Sequence, residues 1–198
     1  MSASKSVRLI RHLAVAAFLA VAAISAVSAF PTEILAQDTD VITMEFIGFG
    51  ANPDYYAVVQ GSKLSGKSLV IYQMGGNGPT LVYPLKGKNV DKALKSKEVA
   101  PYGIQFNHVT GATAPAGYSL SGLIRGENME LTLVAGTQSS TLGYAVIFSD
   151  PTKTKVAKVT IKNVYWTPDS KRVVIILNQK LDGDWAVDTD IVAAYTLG

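Results

Sequence analysis

With 198 residues, 48% of them hydrophobic and 17% charged, the chain has the apolar content of one domain with a sizeable core. It contains no cysteine, which excludes disulfide staples, thiol nucleophiles, cysteine-based zinc sites and a lipid-bearing thiol. Of the 18 basic and 15 acidic residues, Lys5, Arg8, Arg11 and Glu33 fall within residues 1–36; the rest carries a net charge of about +1, too weak a field to hold nucleic acid or an anionic membrane.

Those three basic residues precede Leu13 to Phe30, a stretch that is apolar or small throughout and has no charge. A positive start, an apolar middle and small residues at Ala29 and Ala36 are the parts of a secretory signal, so we expect an N-terminal signal helix cleaved after one of those two alanines. The competing reading is a retained anchor, because the apolar stretch approaches the length that crosses a bilayer. Its alanine content and the following Pro31 favour cleavage. The expected organisation is therefore a leader over residues 1–36 and a single β domain over residues 37–198. That domain is secreted or periplasmic and has no membrane span once the signal is removed.

Val41 to Phe49 reads as a first strand. A turn at Asn52, Pro53 and Asp54 follows, then strands at about Tyr55 to Gln60 and Ser68 to Met74, joined by the loop Gly61 to Gly66. The run GGNGP at 75–79 is a flexible turn rather than a phosphate cradle. It lacks the Lys-Ser/Thr of a P-loop and leads into a strand, Thr80 to Leu85, so no helix N-terminus faces an anion. Asn89 can cap a short surface helix at about 90–99, with Asp91 in its first turn, a thin stripe of Val90, Ala93 and Leu94, and Pro101 as its stop.

Beyond Gly103 the pattern returns to strands. Ile104, Phe106 and His108 alternate with polar neighbours, and a connector rich in Gly, Ala, Thr and Pro follows from Thr110 to Gly117. Met129 to Val134 alternates cleanly. Leu142 to Phe148, a turn at Ser149 to Thr152, and Lys155 to Ile161 read as a further hairpin. The chain closes with a second unit of the same grammar as the first. Tyr165 and Trp166 run into a turn at Thr167, Pro168 and Asp169, a Val- and Ile-rich strand follows, and the turn Leu181 to Trp185 leads to a last strand, Ile191 to Leu197. About ten strands and one helix make the class mainly β, with antiparallel sheets arranged as a sandwich or as an open propeller-like stack.

Few residues are placed to carry chemistry. His12 falls in the leader, leaving His108 alone on an alternating strand, and no Gly-x-Ser-x-Gly elbow supplies a nucleophile, so no triad is expected. Asp182, Asp184, Asp188 and Asp190 form the densest carboxylate group. Hard oxygen donors within one loop suit calcium, but the spacing is not that of a helical calcium loop, and aspartates at a solvated turn are the plainer reading. Tyr55, Tyr56, Tyr165, Trp166 and Trp185 concentrate in the two Pro-Asp units and are the candidate ligand or glycan platform; the plainer reading is core filling at strand ends.

The runs IGFGANPDYYA from Ile47 to Ala57 and WTPDSKRVV from Trp166 to Val174, with Tyr102 to Ile104, Gly117 to Leu120 and the acidic loop between and after them, resemble a family of predicted secreted bacterial proteins of unknown function, whose Pro-Asp turn modules are similar to propeller-type repeats. The likeness spans about Val41 to Leu197, though Asn-Pro-Asp-Tyr and Thr-Pro-Asp-Ser stand where Ser-Pro-Asp-Gly is usual. It implies export and a β fold, and it carries over no activity and no site residues. The expected function is that of an exported, non-enzymatic β protein, without a cofactor, that binds or scaffolds in the cell envelope with an envelope protein or small ligand as partner. The alternatives are a carboxylate-dependent hydrolase of an envelope glycan and a calcium- or small-ligand-binding module at the acidic loop.

Overall fold

The structure, a computed structural model, describes residues 41–148, 157–183 and 186–197. The expected signal helix, the turn at Ser149 to Thr152, Asp184 and Trp185 lie outside the described residues. In chain order the strands are β1 (Thr43–Phe49), β2 (Tyr55–Ser62), β3 (Gly66–Gln73) and β4 (Pro79–Pro84); then come a short helix, α1 (Val90–Leu94), and a 3-10 turn at Ala100–Tyr102. After these follow β5 (Val109–Thr110), β6 (Ser119–Arg125), β7 (Asn128–Ala135), β8 (Gln138–Val146), β9 (Lys158–Trp166), β10 (Arg172–Leu181) and β11 (Val187–Thr196). They form three open antiparallel sheets, ordered β1-β2-β3-β4, β11-β10-β9-β5 and β6-β7-β8, and no barrel closes among the described residues.

The hydrophobic pattern explains how the sheets stack. In β10 the five residues Val173 to Leu177 are all fully buried, because the strand has apolar neighbours on both faces. Val173, Ile175 and Leu177 share a core with Met129, Leu131 and Ala145 of the third sheet. Val174 and Ile176 meet Phe46, Val58 and Val70 of the first. Burying those five side chains contributes on the order of 10 kcal/mol of transfer free energy. β2 is likewise covered twice: Tyr56 and Val58 face the second sheet, while Ala57 and Val59 pack with Leu85, Ala93 and Val99 of the helical segment. β7 alternates apolar with polar because its outer face meets water. The helical segment and the three sheets thus form four layers, with the second sheet buried between the other two.

Two bulges tune this packing. The register of β1 on β2 shifts between Phe46 and Gly48, which places Phe46 and Phe49 on the same face in an edge-to-face contact with centroids 5.1 Å apart. The register of β9 on β10 shifts at Lys162, which turns that side chain toward β11.

Three expectations are corrected and one strand is added. The helix over 90–99 is α-helical only from Val90 to Leu94, capped by Asn89 Oδ1, which accepts from Lys92 N at 2.9 Å. Ala93 and Val99 both enter the core, yet on a continuous helix they would lie about 120° apart around the axis, so the chain breaks into turns to bury both. The alternation from Ile104 to His108 is not a strand. This segment crosses from the edge of the first sheet, where Gln105 bridges Phe49, to the edge of the second, where Val109 pairs with Trp166, and it can pair at length with neither. The expected hairpin across Ser149 to Thr152 does not form, since β8 pairs with β7 in the third sheet and β9 with β10 in the second. Finally, β6 joins the third sheet unannounced by any sharp periodicity. Its Gly122 faces inward, where an added Cβ would lie 2.2 Å from Met129 Cε, so the missing side chain makes room for the core.

Candidate functional site

The two Pro-Asp units, distant in sequence, meet in space. In the first turn Asn52 O accepts from Tyr55 N at 3.0 Å, and Asn52 Oδ1 accepts from Asp54 N at 3.1 Å. In the second, Thr167 O accepts from Ser170 N at 2.8 Å, and Ser170 takes a left-handed φ of 56°. The Thr167 hydroxyl, and then the Lys171 N–H, donate to Asp169 and hold its carboxyl below the usual range. Arg172, just past the second turn, donates from Nη2 at 2.7 Å and from Nε at 3.1 Å to Asp54 of the first. An aromatic with no exposed surface, Phe49 or Trp166, precedes each turn.

The aspartates expected as a possible calcium site separate into different roles. Asp190 is buried, and its carboxylate accepts from Lys162 Nζ at 2.6 Å, Met44 N at 2.9 Å and Asn178 Nδ2 at 3.0 Å. It thereby ties β1, β9, β10 and β11 together where the Asp190 N–H donates to Ile42 O. Asp188 accepts from the same Asn178 amide at 3.2 Å. Asp182 is exposed at the hairpin end, 4.0 Å from Lys180. Among the described residues no group of three or more His, Asp or Glu side chains is placed to hold a metal ion.

The aromatics are distributed over three cores. Tyr55 meets Tyr102 edge-to-face at 5.2 Å on the helical side. Tyr56 stacks on Tyr72 at 5.4 Å between the first two sheets, and burial raises the hydroxyl pKa of both, with the neighbouring Tyr72 adding to the shift of Tyr56. Tyr165 stacks on Phe46 at 4.4 Å in that same core. Trp166 lies between the second and third sheets and donates Nε1–H to Gly111 O at 3.0 Å. His108 packs its ring edge-on against Phe46 and Tyr165, at 5.0 and 5.3 Å, and burial lowers its pKa. Its Nδ1 has no hydrogen-bond partner among the described residues.

A broad cleft opens beside the second Pro-Asp turn. It is a cleft of about 810 Å3, walled on one side by the β7–β8 end, Ala135 to Leu142, and on the other by Asp169 to Lys171 and the end of β11. Its surface mixes hydroxyl and amide groups from Gln138, Ser139, Ser140, Thr141 and Thr196 with the half-buried Tyr118 and Leu133. Of the aromatics singled out in the sequence, the four that lie among the described residues, Tyr55, Tyr56, Tyr165 and Trp166, do not line it. Ser170 shapes its floor from beneath, accepting from Ala116 N at 3.2 Å.

No family model matches the chain, and no curated protein or solved structure matches it either. The cleft residues carry one faint signal in the sequence: QSST at 138–141, a hydroxyl- and amide-rich run within a strand, where larger apolar or β-branched residues are the rule.

Proposed function

We propose that the protein is an exported, non-enzymatic β protein that acts in the periplasm or outside the cell by binding, with the cleft beside the second Pro-Asp turn as the seat of a neutral, polyhydroxylated ligand such as an envelope glycan. In this reading the leader is a cleaved signal, and the two Pro-Asp units are blade-like modules of an open, propeller-like stack whose shared end carries the cleft. The observation that supports it is the make-up of that cleft. Neutral hydroxyls and an amide alternate along one wall, and the charges of Asp169 and Lys171 oppose each other on the other. Sugars are held by such directional, uncharged hydrogen bonds together with apolar contact, whereas an ionic ligand calls for one dominant sign of charge.

The test is a titration of backbone amide shifts with oligomers of N-acetylglucosamine. The expected result is saturable shifts confined to residues 138–141, 169–171 and 196–197, weakened at least tenfold by Ser140→Trp, which fills the cleft. Shifts that never saturate, or that map elsewhere, refute the glycan reading. N-terminal sequencing of exported protein checks the leader separately, with Phe30 or Gln37 expected as the first residue.

A further inference from the structure

Three open sheets leave six edge strands, and an uncovered edge is a template for another strand. Most of these edges are guarded. β4 begins and ends in Pro79 and Pro84, and the stretch of β9 that the two-residue β5 leaves uncovered carries Lys158 and Lys162. β1 is engaged by Gln105, and β6 is partly covered by the preceding connector, with Leu120 N donating to Ala112 O at 3.1 Å. β11 gives its Asp190 N–H to Ile42 O. The exception is β8. From Thr141 to Phe148 it carries no charge and no proline, and among the described residues it pairs with β7 alone.

The register shows which groups are free. Ile147 N donates to Glu127 O, so Ile147, Ala145 and Gly143 direct their main-chain groups toward β7. Tyr144 and Val146 therefore direct theirs away from the sheet. Their side chains stand on its outer face, 60% and 75% exposed, beside Leu123 at 54%. A groove of about 410 Å3 lies alongside, between Tyr144 to Val146 and the turn Gly75 to Gly78, with Ile191 to Tyr195 of β11 also lining it.

We propose that β8 is a self-association edge, on which β8 of a second copy of this chain pairs antiparallel about a two-fold axis at Ala145. The bulge at Leu142 limits the regular part of the strand to the residues after it, and Ala145 sits at their centre. With the axis there, Tyr144 of each copy lies opposite Val146 of the other. Both outward-bonding positions are then paired, and an aromatic meets a β-branched residue twice, a favourable cross-strand combination.

Charge argues for the chain's own copy as the occupant. On the outer face one row runs Leu123, Glu130, Tyr144 and the next Arg125, Asn128, Val146. The two-fold joins the row holding Glu130 in one copy to the row holding Arg125 in the other, so no like charges face each other. The result is a continuous six-stranded sheet with an isologous interface.

The experiment is sedimentation of the purified full chain across the micromolar range, with Val146→Lys and Ala145→Cys as variants. A reversible dimer is expected, weakened ~10-fold or more by Val146→Lys, which removes the apolar partner of Tyr144 and sets the lysines of the two copies diagonally across the axis. The chain has no native cysteine, so an oxidised Ala145→Cys dimer reports this pairing alone. Opposed non-hydrogen-bonded residues, with Cα atoms about 4.5 Å apart, are within disulfide reach. A monomer at every concentration, a dimer indifferent to Val146→Lys, or Ala145→Cys failing to cross-link while the chain dimerises overturns the proposal. Dimerisation is independent of ligand binding in the cleft, so either can fail alone.

Discussion

Replacing Asp190 by Ala removes the acceptor of three donors at once: Lys162 Nζ, the Met44 backbone N–H and the Asn178 amide. The side chain of Asp190 is 1% exposed and that of Lys162 41%, so the two lose different amounts. The ammonium can turn to water, whereas the Met44 N–H at the β1–β11 junction has no nearby substitute. Orphaning one part-buried N–H costs about 1–3 kcal/mol, and a hydrogen bond to a charged group contributes about 1.5–3 kcal/mol. Discounting the Lys162 share for solvent access, we expect a loss of about 3 kcal/mol. For a domain of this size that lowers Tm by about 6–12 °C. Urea unfolding followed by far-UV circular dichroism reads it as a lower midpoint at unchanged slope. Asp182→Ala, at the exposed hairpin end, should leave the midpoint where it is. Lys162→Met strands the buried carboxylate and should be destabilising too, while the double variant should lose less than the two singles summed. An Asp190→Ala midpoint as close to wild type as that of Asp182→Ala would refute the claim that this carboxylate ties the two sheets.

Further outcomes follow from other contacts. Gly48→Ala would place a Cβ 1.7 Å from Gln105 O, a backbone atom with no rotamer to escape into, and should cost ~3 kcal/mol by the same unfolding assay. Burial lowers the pKa of His108 below the ordinary 6.5, so the folded state favours the neutral ring. Its stability contribution is therefore complete above that value and lost as pH falls through it toward the folded pKa; in His108→Phe the fall of Tm between about pH 7 and 5 should flatten. Asp54→Asn breaks the ion pair between the two Pro-Asp turns. Because that carboxylate is 47% exposed, the change should cost no more than about 1 kcal/mol, and less as salt is added.

Much of the fold is legible without coordinates, for reasons that particular strands make plain. β7 alternates because one face is wet, and the two Pro-Asp turns declare themselves by Asn52 and Asp169, whose side chains accept from backbone N–H groups two residues on. The uninterrupted apolar runs of β2 and β10 announce burial on both faces, although not what covers them. β6 is obscured by Gly122, whose role is to leave space for the Met129 side chain on the neighbouring strand. The segment from Ile104 to His108 has the period of a strand without a partner able to follow it. The cleft is harder still to anticipate, since its walls come from a strand pair, a turn and a chain end that periodicity treats as unrelated.

The sequence by itself determined the mainly β class, the places where the chain turns, and the absence of any cysteine framework, because turn chemistry and side-chain period are local properties. Tertiary structure alone decided which of several like residues carries which task. Asp182 and Asp190 are written alike, yet one is solvated and the other is a buried acceptor for three donors. Tyr165 and Trp166 are neighbours, yet alternation across a pleated strand sends them into different cores. What separates them is the identity of the strands stacked above and below, a long-range property set when three sheets pack face to face.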